Sequence, residues 1–286
     1  MNILVTGAYG QLGSEIKELA ALYPSFNFLY TDVDSLDITS DEAVEQFFAE
    51  NKVEAVINCA AYTAVDRAET DEGNALLVNA IAPGILAKYA AKTAATMIHI
   101  STDYVFAGNA SQPYSEEDQV DPQGVYGRTK LEGEQRVLAE NPDSVIVRTS
   151  WLYSAFGNNF VKTMLRLGRE REGLKVVSDQ VGTPTYAADL ANTLLRIIEK
   201  SDQIVPGIYH YSNEGVASWY DFALAIFELS GIKCKVQPVE SHEFPTPAKR
   251  PHYSVLKKSK IKNTFGIEIP YWRDSLQLCL KRLEKL

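Results

Sequence analysis

The chain has 286 residues, enough to bury a sizeable core in one large domain or in two coupled ones. Its apolar content of 45% and charged content of 23% are ordinary for a globular protein in water. The formal net charge of −9 argues against a surface that binds nucleic acid or an anionic membrane, so any anionic ligand must be met by a local cluster of donors.

Cysteine and histidine are sparse and predict no metal centre. The three cysteines, Cys59, Cys234 and Cys279, are far apart and fit neither a disulfide framework nor a thiolate site. The four histidines show no paired ligand spacing. The chain starts in an apolar strand with no basic leader, and no stretch is long enough to span a membrane, so we expect a reducing, cytoplasmic setting.

Short β-branched runs alternate with helical patterns through the first half of the chain. The predicted strands are residues 2–6, 26–31, 55–60, 96–101 and 145–150. The predicted helices between them are residues 11–21, 41–51, 74–93 and 126–140. Most of the strands are apolar on both faces, as in a parallel sheet covered by helices. The alternation therefore favours an α/β fold with a doubly wound parallel sheet of the Rossmann type.

After residue 150 the pattern loosens into a smaller, interwoven lobe. Helical stretches joined by proline-rich loops are predicted at residues 158–171, 187–200, 218–230 and 271–286. A strand candidate at 207–212 could return to the main sheet. We predict a dinucleotide-binding domain of residues 1–150 and 186–212, and a substrate-binding lobe of residues 151–185 and 213–286, with approximate bounds.

The first predicted strand runs into the turn TGAYGQLG, in which Gly7, Gly10 and Gly13 are spaced three apart. Glycine permits a tight turn, close approach of the backbone to a pyrophosphate, and close packing of helix on strand. The free N–H groups and the dipole at the start of the following helix favour negative phosphates. Glycine triplets also occur in ordinary tight loops, but the position between a strand and a helix favours a dinucleotide site.

The second predicted strand ends beside Asp32, nineteen residues after Gly13. An acidic residue at this point usually accepts from the adenosine ribose 2′-hydroxyl and disfavours a 2′-phosphate. The alternative is that Asp32, Asp34 and Asp37 form only a solvated acidic loop. The sequence therefore predicts NADH or NADPH as the cofactor without choosing between them.

The segment YGRTK puts Tyr126 and Lys130 four residues apart, which places two side chains on one face of a helix. The same spacing recurs in YSVLK at 253–257, where no site surrounds it. Tyr126 differs because it opens a predicted helix, and because Thr102 follows the fourth strand at the edge where doubly wound folds bind ligands. We therefore predict that Tyr126, Lys130 and Thr102 converge on one crevice.

This convergence indicates carbonyl reduction with a nicotinamide cofactor. A free tyrosine has a pKa near 10, and we expect the neighbouring ammonium of Lys130 to lower the pKa of Tyr126 by stabilising the phenolate. Tyr126 could then protonate a carbonyl oxygen while a hydride reaches the carbonyl carbon. Thr102 would hydrogen-bond the same oxygen.

Several segments resemble the extended short-chain dehydrogenase/reductases, namely TGAYGQLG, NCAAYTAVDRAE (58–69), STDYVF (101–106) and YGRTK. Later segments are more discriminating and resemble the branch that reduces 4-keto sugar nucleotides: RTSWLY (148–153), GNNFVKTMLRL (157–167), DQVGTPTYAADLA (179–191) and FPTPAKRP (244–251). The resemblance covers nearly the whole chain. It implies NAD(P)H-dependent reduction of the 4-keto group of dTDP-4-dehydro-L-rhamnose to dTDP-L-rhamnose, for polysaccharide biosynthesis, by a monomer or homodimer.

The resemblance also implies roles for single residues. The catalytic set is Thr102, Tyr126 and Lys130, and the substrate set is Thr102, Asp103 and Trp151. Together with the glycine motif, it implies a cofactor-binding set of Gly7, Gly10, Gln11, Leu12, Gly13, Asp32, Asp37, Ile38, Ala61, Tyr62, Thr63, Tyr126 and Lys130. For Trp151 the alternative is ordinary core packing, and its position directly after an apolar strand favours the substrate role.

One position departs from the family pattern. Some members hold a magnesium ion at a dimer interface with acidic side chains, and Glu15 fits the first of those positions. The later position is Ala188 here, next to Asp189. We therefore predict no metal, leave the oligomeric state open, and interpret Glu15 as a first-turn helix acid that the helix dipole favours.

Two other classes of protein stay open at this point. The first is another nucleotide-sugar reductase, epimerase or dehydratase, although dehydratases usually add acids after the threonine and Asp103 is followed here by Tyr104. The second is a non-catalytic subunit similar to the regulatory subunit of methionine adenosyltransferase, which keeps the tyrosine–lysine pair. Trp151 argues against that class, because a subunit that only binds a protein partner needs no flat contact for a sugar nucleotide.

Overall fold

The computed structural model describes residues 1–200 and 204–285, so Leu286 of the predicted helix 271–286 and residues 201–203 of the predicted segment 186–212 lie outside the described residues. The strands are β1 (Asn2–Thr6), β2 (Asn27–Thr31), β3 (Ala55–Asn58), β4 (Thr96–Thr102), β5 (Val145–Thr149), β6 (Leu152–Tyr153), β7 (Gly173–Val177), β8 (Val181–Gly182), β9 (Thr185–Tyr186), β10 (Gly207–His210), β11 (Ala217–Ser218) and β12 (Lys235–Val239). The helices are α1 (Gln11–Leu19), α2 (Asp41–Asn51), α3 (Val65–Ala68), α4 (Glu72–Leu76), α5 (Ala82–Lys92), α6 (Val125–Glu140), α7 (Phe160–Glu170), α8 (Ala187–Glu199), α9 (Trp219–Leu229), α10 (Ser259–Phe265) and α11 (Trp272–Leu283).

The main sheet is parallel and has the strand order β10-β5-β4-β3-β1-β2. The chain first moves outward from β1 to β2 and then crosses back to β3 on the other side of β1. The direction of winding therefore reverses between β1 and β3, and doubly wound folds bind ligands at such a switch point. The predicted α/β fold with a doubly wound parallel sheet is confirmed.

Successive side chains of each strand point to opposite faces of this sheet, and a hydrophobic core lies on each face. Ile3 and Val5 of β1 face the layer formed by α1 and α8, while Leu4 faces the layer that contains α2 and α5. The same division holds on β5, where Val147 and Ile146 lie on opposite faces. Burial of each such side chain contributes about 1.5–3 kcal/mol, which is why the strands read as continuous apolar runs.

The strand predicted at 207–212 is found at the edge of the main sheet. β10 pairs in parallel with β5, with Ile208 opposite Ile146 and Tyr209 opposite Val147. The predicted return of the chain to the main sheet is confirmed. Because β10 follows a long excursion through the second half of the chain, the two halves of the molecule are interwoven.

The second half also builds a smaller layer of strands and helices beside the carboxyl edge of the main sheet. β12 pairs in parallel with β7, β11 pairs with β8, and β6 pairs with β9. An apolar cluster that includes Leu165 of α7, Phe222 of α9 and Leu276 of α11 packs this layer together. The sequence did not predict these strands. Four of them, β6, β8, β9 and β11, have only two residues and carry no periodicity.

The helix predicted at 74–93 is not continuous. A π-helical segment, Leu77–Ile81, separates α4 from α5. Pro83, in the first turn of α5, has no N–H group, so the carbonyl of Asn79 receives no helical hydrogen bond from it. The periodicity of apolar residues continues through this interruption, and for that reason the sequence predicted one helix.

The π-helical segment packs directly on α6, the helix that contains Tyr126 and Lys130. Gly133 of α6 lies against the carbonyl of Asn79 so closely that an added Cβ would overlap the carbonyl oxygen. The Asn79 side chain donates to Thr129 Oγ1 of α6 at 3.2 Å. The absence of a side chain at Gly133 therefore permits the close approach of α6 to the π-helical segment.

Among the residues described, no helix is both long enough and apolar enough to cross a membrane.

Gly133→Ala should destabilise the protein by about 1–3 kcal/mol, because the new methyl group overpacks the contact with Asn79. Gly73→Ala is the matched control, since an added Cβ at Gly73 in α4 meets nothing within 4 Å. Urea unfolding of both variants measures the change. Alanine favours helix over glycine, so Gly73→Ala should be neutral or stabilising by up to about 1 kcal/mol. Equal effects of the two substitutions would contradict the proposed close contact.

Candidate active site

The carboxyl ends of β1 to β5 face a cavity of about 1700 Å³ that is also lined by α7, β7 and Trp219 of the second half. Most of the residues predicted for a site line it together. They are Gly7, Gly10, Gln11, Leu12, Asp32, Asp37, Ile38, Ala61, Thr63, Thr102, Asp103, Tyr126, Lys130 and Trp151. A cavity of this size, with polar groups at a sheet edge, is the default binding site of an α/β fold.

The glycine turn forms one end of the cavity. Gly7 has a φ of +62°, and an added Cβ there would lie 2.7 Å from the Ala60 backbone nitrogen. The Gly10 N–H donates to the Gly7 carbonyl at 3.0 Å and closes the turn. Since α1 begins at Gln11, the N–H groups of its first turn have no carbonyl of the helix to bond. They can therefore donate to an anion placed in the turn.

Gly13 and Tyr62 are not among the lining residues. An added Cβ on Gly13 would lie 2.5 Å from Ala8 Cα, so this glycine permits α1 to pack closely on the first turn. The Tyr62 hydroxyl donates to Asp71 at 2.9 Å, and its N–H donates to Asn79 Oδ1 at 2.8 Å. Both residues support the wall of the cavity from outside its surface.

Asp32 lies at the end of β2 and connects that strand to the glycine turn. Its Oδ2 accepts from the Tyr9 N–H at 3.0 Å, and its Oδ1 accepts from the Val33 N–H at 2.9 Å. Further along the same loop Asp37 accepts from the N–H and hydroxyl of Thr39, which lowers the pKa of Asp37. The carboxylates of this loop are thus held by local donors while they line the cavity.

Thr102 and Asp103 are buried at the end of β4. The Thr102 hydroxyl donates to Asp103 Oδ1 at 3.0 Å and accepts from the Tyr104 N–H at 3.2 Å. By hydrogen-bond geometry, Asp103 Oδ2 has no partner within the described residues, although the nearby Ser254 hydroxyl acts to lower the pKa of Asp103. Burial raises the pKa of Asp103 to about 6, and the contacts with Ser254 and Thr102 offset this increase only in part.

Tyr126 is the second residue of α6, and its ring packs edge-on against Tyr104 at 5.4 Å between centroids. Burial raises the pKa of Tyr126 above its usual 10, and contact with Thr102 lowers it only in part. The expected lowering by Lys130 is not found. The Lys130 ammonium instead donates to the Ile100 carbonyl at 2.7 Å, and burial lowers the pKa of Lys130 to about 8.

Trp151 lines the cavity and also packs within the second half. It has a φ of +47°, a conformation that residues other than glycine rarely adopt. Its indole stacks on that of Trp219 with 3.6 Å between centroids and 8° between planes. The strained backbone and the stacking partner together hold the Trp151 ring at the cavity wall, and the ring edge lies over Gly182.

Arg250 also lines the cavity, although the sequence motifs predicted no role for it. Its Nη2 donates to Asp66 Oδ2 at 2.7 Å, and its Nη1 donates to the Tyr104 hydroxyl at 3.3 Å. This ion pair connects the loop of FPTPAKRP to the segment after β3 and closes one side of the cavity. Asp66 and Arg250 are far apart in the chain, so no local pattern could have paired them.

The interpretation of Glu15 as a first-turn acid is wrong. Glu15 is the fifth residue of α1 and is fully buried. Its Oε1 accepts from the Ser154 hydroxyl at 2.5 Å, and its Oε2 accepts from Arg282 of α11 at 2.6 Å. The carboxylate is therefore neutralised by an arginine from the last helix, a partner that the sequence spacing did not reveal.

The second tyrosine–lysine pair, in YSVLK, does not lie on a helix. Tyr253 forms a bridge with Val181, and the Lys257 N–H donates to the Tyr114 carbonyl. Neither side chain is among the residues that line the cavity. The structural environment, and not the spacing, distinguishes Tyr126 and Lys130.

A doubly wound parallel sheet with a glycine turn at its switch point, and a tyrosine and a lysine at the same edge, defines a class of protein. It is the class of dinucleotide-dependent short-chain dehydrogenases and reductases. The chain belongs to the family described as the RmlD substrate binding domain, whose model matches residues 1–285.

Several relatives of the chain have the same activity in their names. The dTDP-4-dehydrorhamnose reductase of Aggregatibacter actinomycetemcomitans is 42% identical over 96% of this chain and 97% of its own. A crystal structure of a dTDP-4-dehydrorhamnose reductase from Clostridium acetobutylicum has a TM-score of 0.95 and 49% identity, covering 99% of this chain and 100% of the other. The structure of the enzyme of that name from Bacillus anthracis, in complex with NADP, has a TM-score of 0.93 and 41% identity, covering 98% of this chain and 99% of the other.

The comparisons confirm the predicted family and the predicted enzyme class, a nicotinamide-dependent oxidoreductase. The predicted type of cofactor, NADPH or NADH, is also confirmed, since the Bacillus anthracis structure contains NADP.

The raised pKa of Asp103 predicts a dependence of stability on pH. The folded protein holds the Asp103 proton with a pKa of about 6, against about 3.9 for an unfolded aspartate, so the free energy of unfolding should increase as the pH falls through 6 towards 4. Asp103→Asn keeps an acceptor for Thr102 but has no charge to bury. Relative to this variant, the free energy of unfolding of the wild type, measured with urea, should decrease by about 2–3 kcal/mol between pH 4 and pH 7. If the free energies of unfolding of the wild type and of Asp103→Asn changed equally with pH, the Asp103 carboxylate would not be desolvated.

Proposed function

We propose that the protein reduces the 4-keto group of dTDP-4-dehydro-L-rhamnose to a hydroxyl with NADPH or NADH, giving dTDP-L-rhamnose. The observation that carries the proposal is the convergence of Tyr126, Thr102 and the glycine turn on one cavity large enough for two nucleotides. Relatives of 42% to 49% identity that bear the name of this reductase support the choice of substrate.

Tyr126 is the proposed proton donor. Its phenol is protonated at neutral pH, as a group that gives a proton to a developing alkoxide must be. The Thr102 hydroxyl lies beside it and would hold the same oxygen in place. Both side chains lie at the carboxyl edge of the sheet, on the cavity wall.

The cofactor would occupy the domain of residues 1–150 and 186–212. Its pyrophosphate fits the turn at Gly7 and Gly10, where a Cβ on Gly7 would collide with Ala60 and where α1 presents free N–H groups. Asp32 would meet the adenosine ribose and Lys130 the nicotinamide ribose. When bound, the nicotinamide supplies the hydride.

The sugar nucleotide would lie against the lobe of residues 151–185 and 213–286. The Trp151 ring, held by Trp219, offers a flat surface at the cavity wall. Arg171 and Lys175 line the same side and are exposed, so they can meet the diphosphate of an acidic ligand despite the negative net charge of the chain. Asp103 would contact the sugar beside Thr102.

A direct assay tests the reaction. Purified protein receives freshly made dTDP-4-keto-6-deoxy-L-sugar with NADH and NADPH in parallel, and nicotinamide oxidation is followed by absorbance. Oxidation that yields dTDP-L-rhamnose is the expected result. Measurable cofactor binding without oxidation would contradict the proposal and point to another keto-sugar or to a regulatory subunit.

Tyr126→Phe should lower kcat by about 10²–10⁴-fold, the usual contribution of a positioned general acid. The ring and its packing on Tyr104 remain, so the affinity for NADPH should change little. Isothermal titration of the cofactor and the oxidation assay together measure both effects. Turnover that survives the substitution would place the proton donor elsewhere.

Asp32→Asn should shift cofactor preference towards NADPH by about tenfold in the ratio of dissociation constants, because a charged acceptor for the ribose is lost and a 2′-phosphate is no longer repelled. The asparagine oxygen can still accept from the Tyr9 N–H, so the turn should stay in place. Asp32→Ala removes that contact as well and serves as the comparison. An equal effect of Asp32→Asn on both cofactors would mean that this carboxylate does not touch the ribose.

A further inference from the structure

A chain of buried polar side chains runs from the core of the sheet to Lys130. The Thr6 hydroxyl donates to Asn58 Oδ1 at 2.7 Å, and Asn58 Nδ2 lies 3.0 Å from His99 Nδ1. His99 Nε2 lies 3.4 Å from Lys130 Nζ. All four side chains are buried, and they come from β1, β3, β4 and α6. Neither the sequence motifs nor the proposed reaction assigns a role to His99.

The backbone determines which way the Asn58 amide points. The Ala60 N–H donates to Asn58 Oδ1 at 3.2 Å, and a backbone N–H group can only donate. Turning the amide over would place its NH₂ group against this N–H. The oxygen of Asn58 therefore faces Ala60 and Thr6, and its nitrogen faces His99.

This orientation determines the tautomer of His99. Since Asn58 Nδ2 donates, His99 Nδ1 must accept and carries no proton. Burial holds the pKa of His99 well below its usual value, so the ring is neutral and its one proton is on Nε2. The Nε2–H bond is directed at Lys130.

An ammonium group at Lys130 would then face another donor. It keeps the Ile100 carbonyl at 2.7 Å as an acceptor, but its approach to His99 Nε2 at 3.4 Å brings two N–H donors together. The neutral amine, in contrast, has a lone pair that can accept from Nε2–H. We propose that His99, held by Asn58 as the Nε2–H tautomer, is a positioning residue that favours the amine form of Lys130. The role of Lys130 in this inference rests on the proposed function, whereas the contacts among Asn58, His99 and Lys130 do not.

The other charged groups near Lys130 act in the opposite direction or are already compensated. Glu134 on α6 favours the ammonium, yet both its oxygens accept from Arg148 of β5, and one also accepts from Ser101 of β4. Tyr126, one turn earlier on α6, stays protonated. The pKa of Lys130 is accordingly about 8, and burial is its main cause.

The first test needs no variant. Long-range ¹H–¹⁵N spectra of the ¹⁵N-histidine protein distinguish a protonated ring nitrogen from a bare one. At neutral pH the expected result for His99 is a protonated Nε2 and a bare Nδ1. A protonated Nδ1, or a doubly protonated ring, would overturn the inference.

Two variants test the effect on Lys130 itself. Asn58→Asp offers only acceptors, so the His99 proton should move to Nδ1 and Nε2 should accept from the ammonium. His99→Gln can present its amide oxygen to Lys130. In both, the titration midpoint of the Lys130 ε-carbon resonance, assigned by its loss in Lys130→Arg, should rise by about one unit, a tenfold change in proton affinity.

His210→Gln is the matched control. His210 is also fully buried and lies on β10, where its Nδ1 is 3.1 Å from the Tyr114 carbonyl, away from Lys130. Its substitution should leave the Lys130 midpoint unchanged. An unchanged midpoint in His99→Gln, or an equal rise in His210→Gln, would overturn the inference. Because these spectra need no substrate, their outcome is independent of whether the keto-sugar is turned over.

Discussion

Asn79 joins the two walls of the cavity. It is fully buried, its Oδ1 accepts from the Tyr62 N–H, and its Nδ2 donates to the Tyr62 carbonyl and to Thr129. The Tyr62 loop follows β3 and flanks the switch point, whereas Thr129 lies on the helix with the proposed proton donor. A buried amide with all its partners in protein is costly to move, so this residue determines the distance between the two walls. Pro83 has no N–H group to donate to the Asn79 carbonyl, and that carbonyl lies against Gly133.

Burial acts in one direction on the titratable groups around the cavity. It raises the pKa of Tyr126 and of Asp103, and it lowers the pKa of Lys130 and of His99. Each change favours the neutral form of its group. The protein is strongly acidic as a whole. The protonation states of the groups on the inner face of the site, however, are determined by local desolvation and by hydrogen bonds between neighbouring strands. Net charge therefore says little about the chemistry at Tyr126.

Local patterns predicted the parts of the molecule that depend on local structure. The first-half strands, the glycine turn and the helix at Tyr126 follow from periodicity and from the conformational freedom of Gly7. Contacts between distant segments could not be predicted in this way. Arg250 meets Asp66 across 184 positions of the chain, and the partner of Glu15 comes from the last helix. The expected effect of Lys130 on Tyr126 was wrong for a related reason, since spacing says nothing of the competing Ile100 carbonyl.

The Glu15–Arg282 pair spans 267 positions of the chain, almost its whole length. During synthesis, the first βα unit leaves the ribosome long before α11 exists. Until α11 arrives, Glu15 can be buried against the second half of the molecule only with its charge uncompensated, which is strongly unfavourable. The ion pair at Glu15 can therefore form only after α11 has left the ribosome. A nascent chain stalled before Arg282 would still pack α1 on α8, but it would leave the Glu15 carboxylate without its arginine.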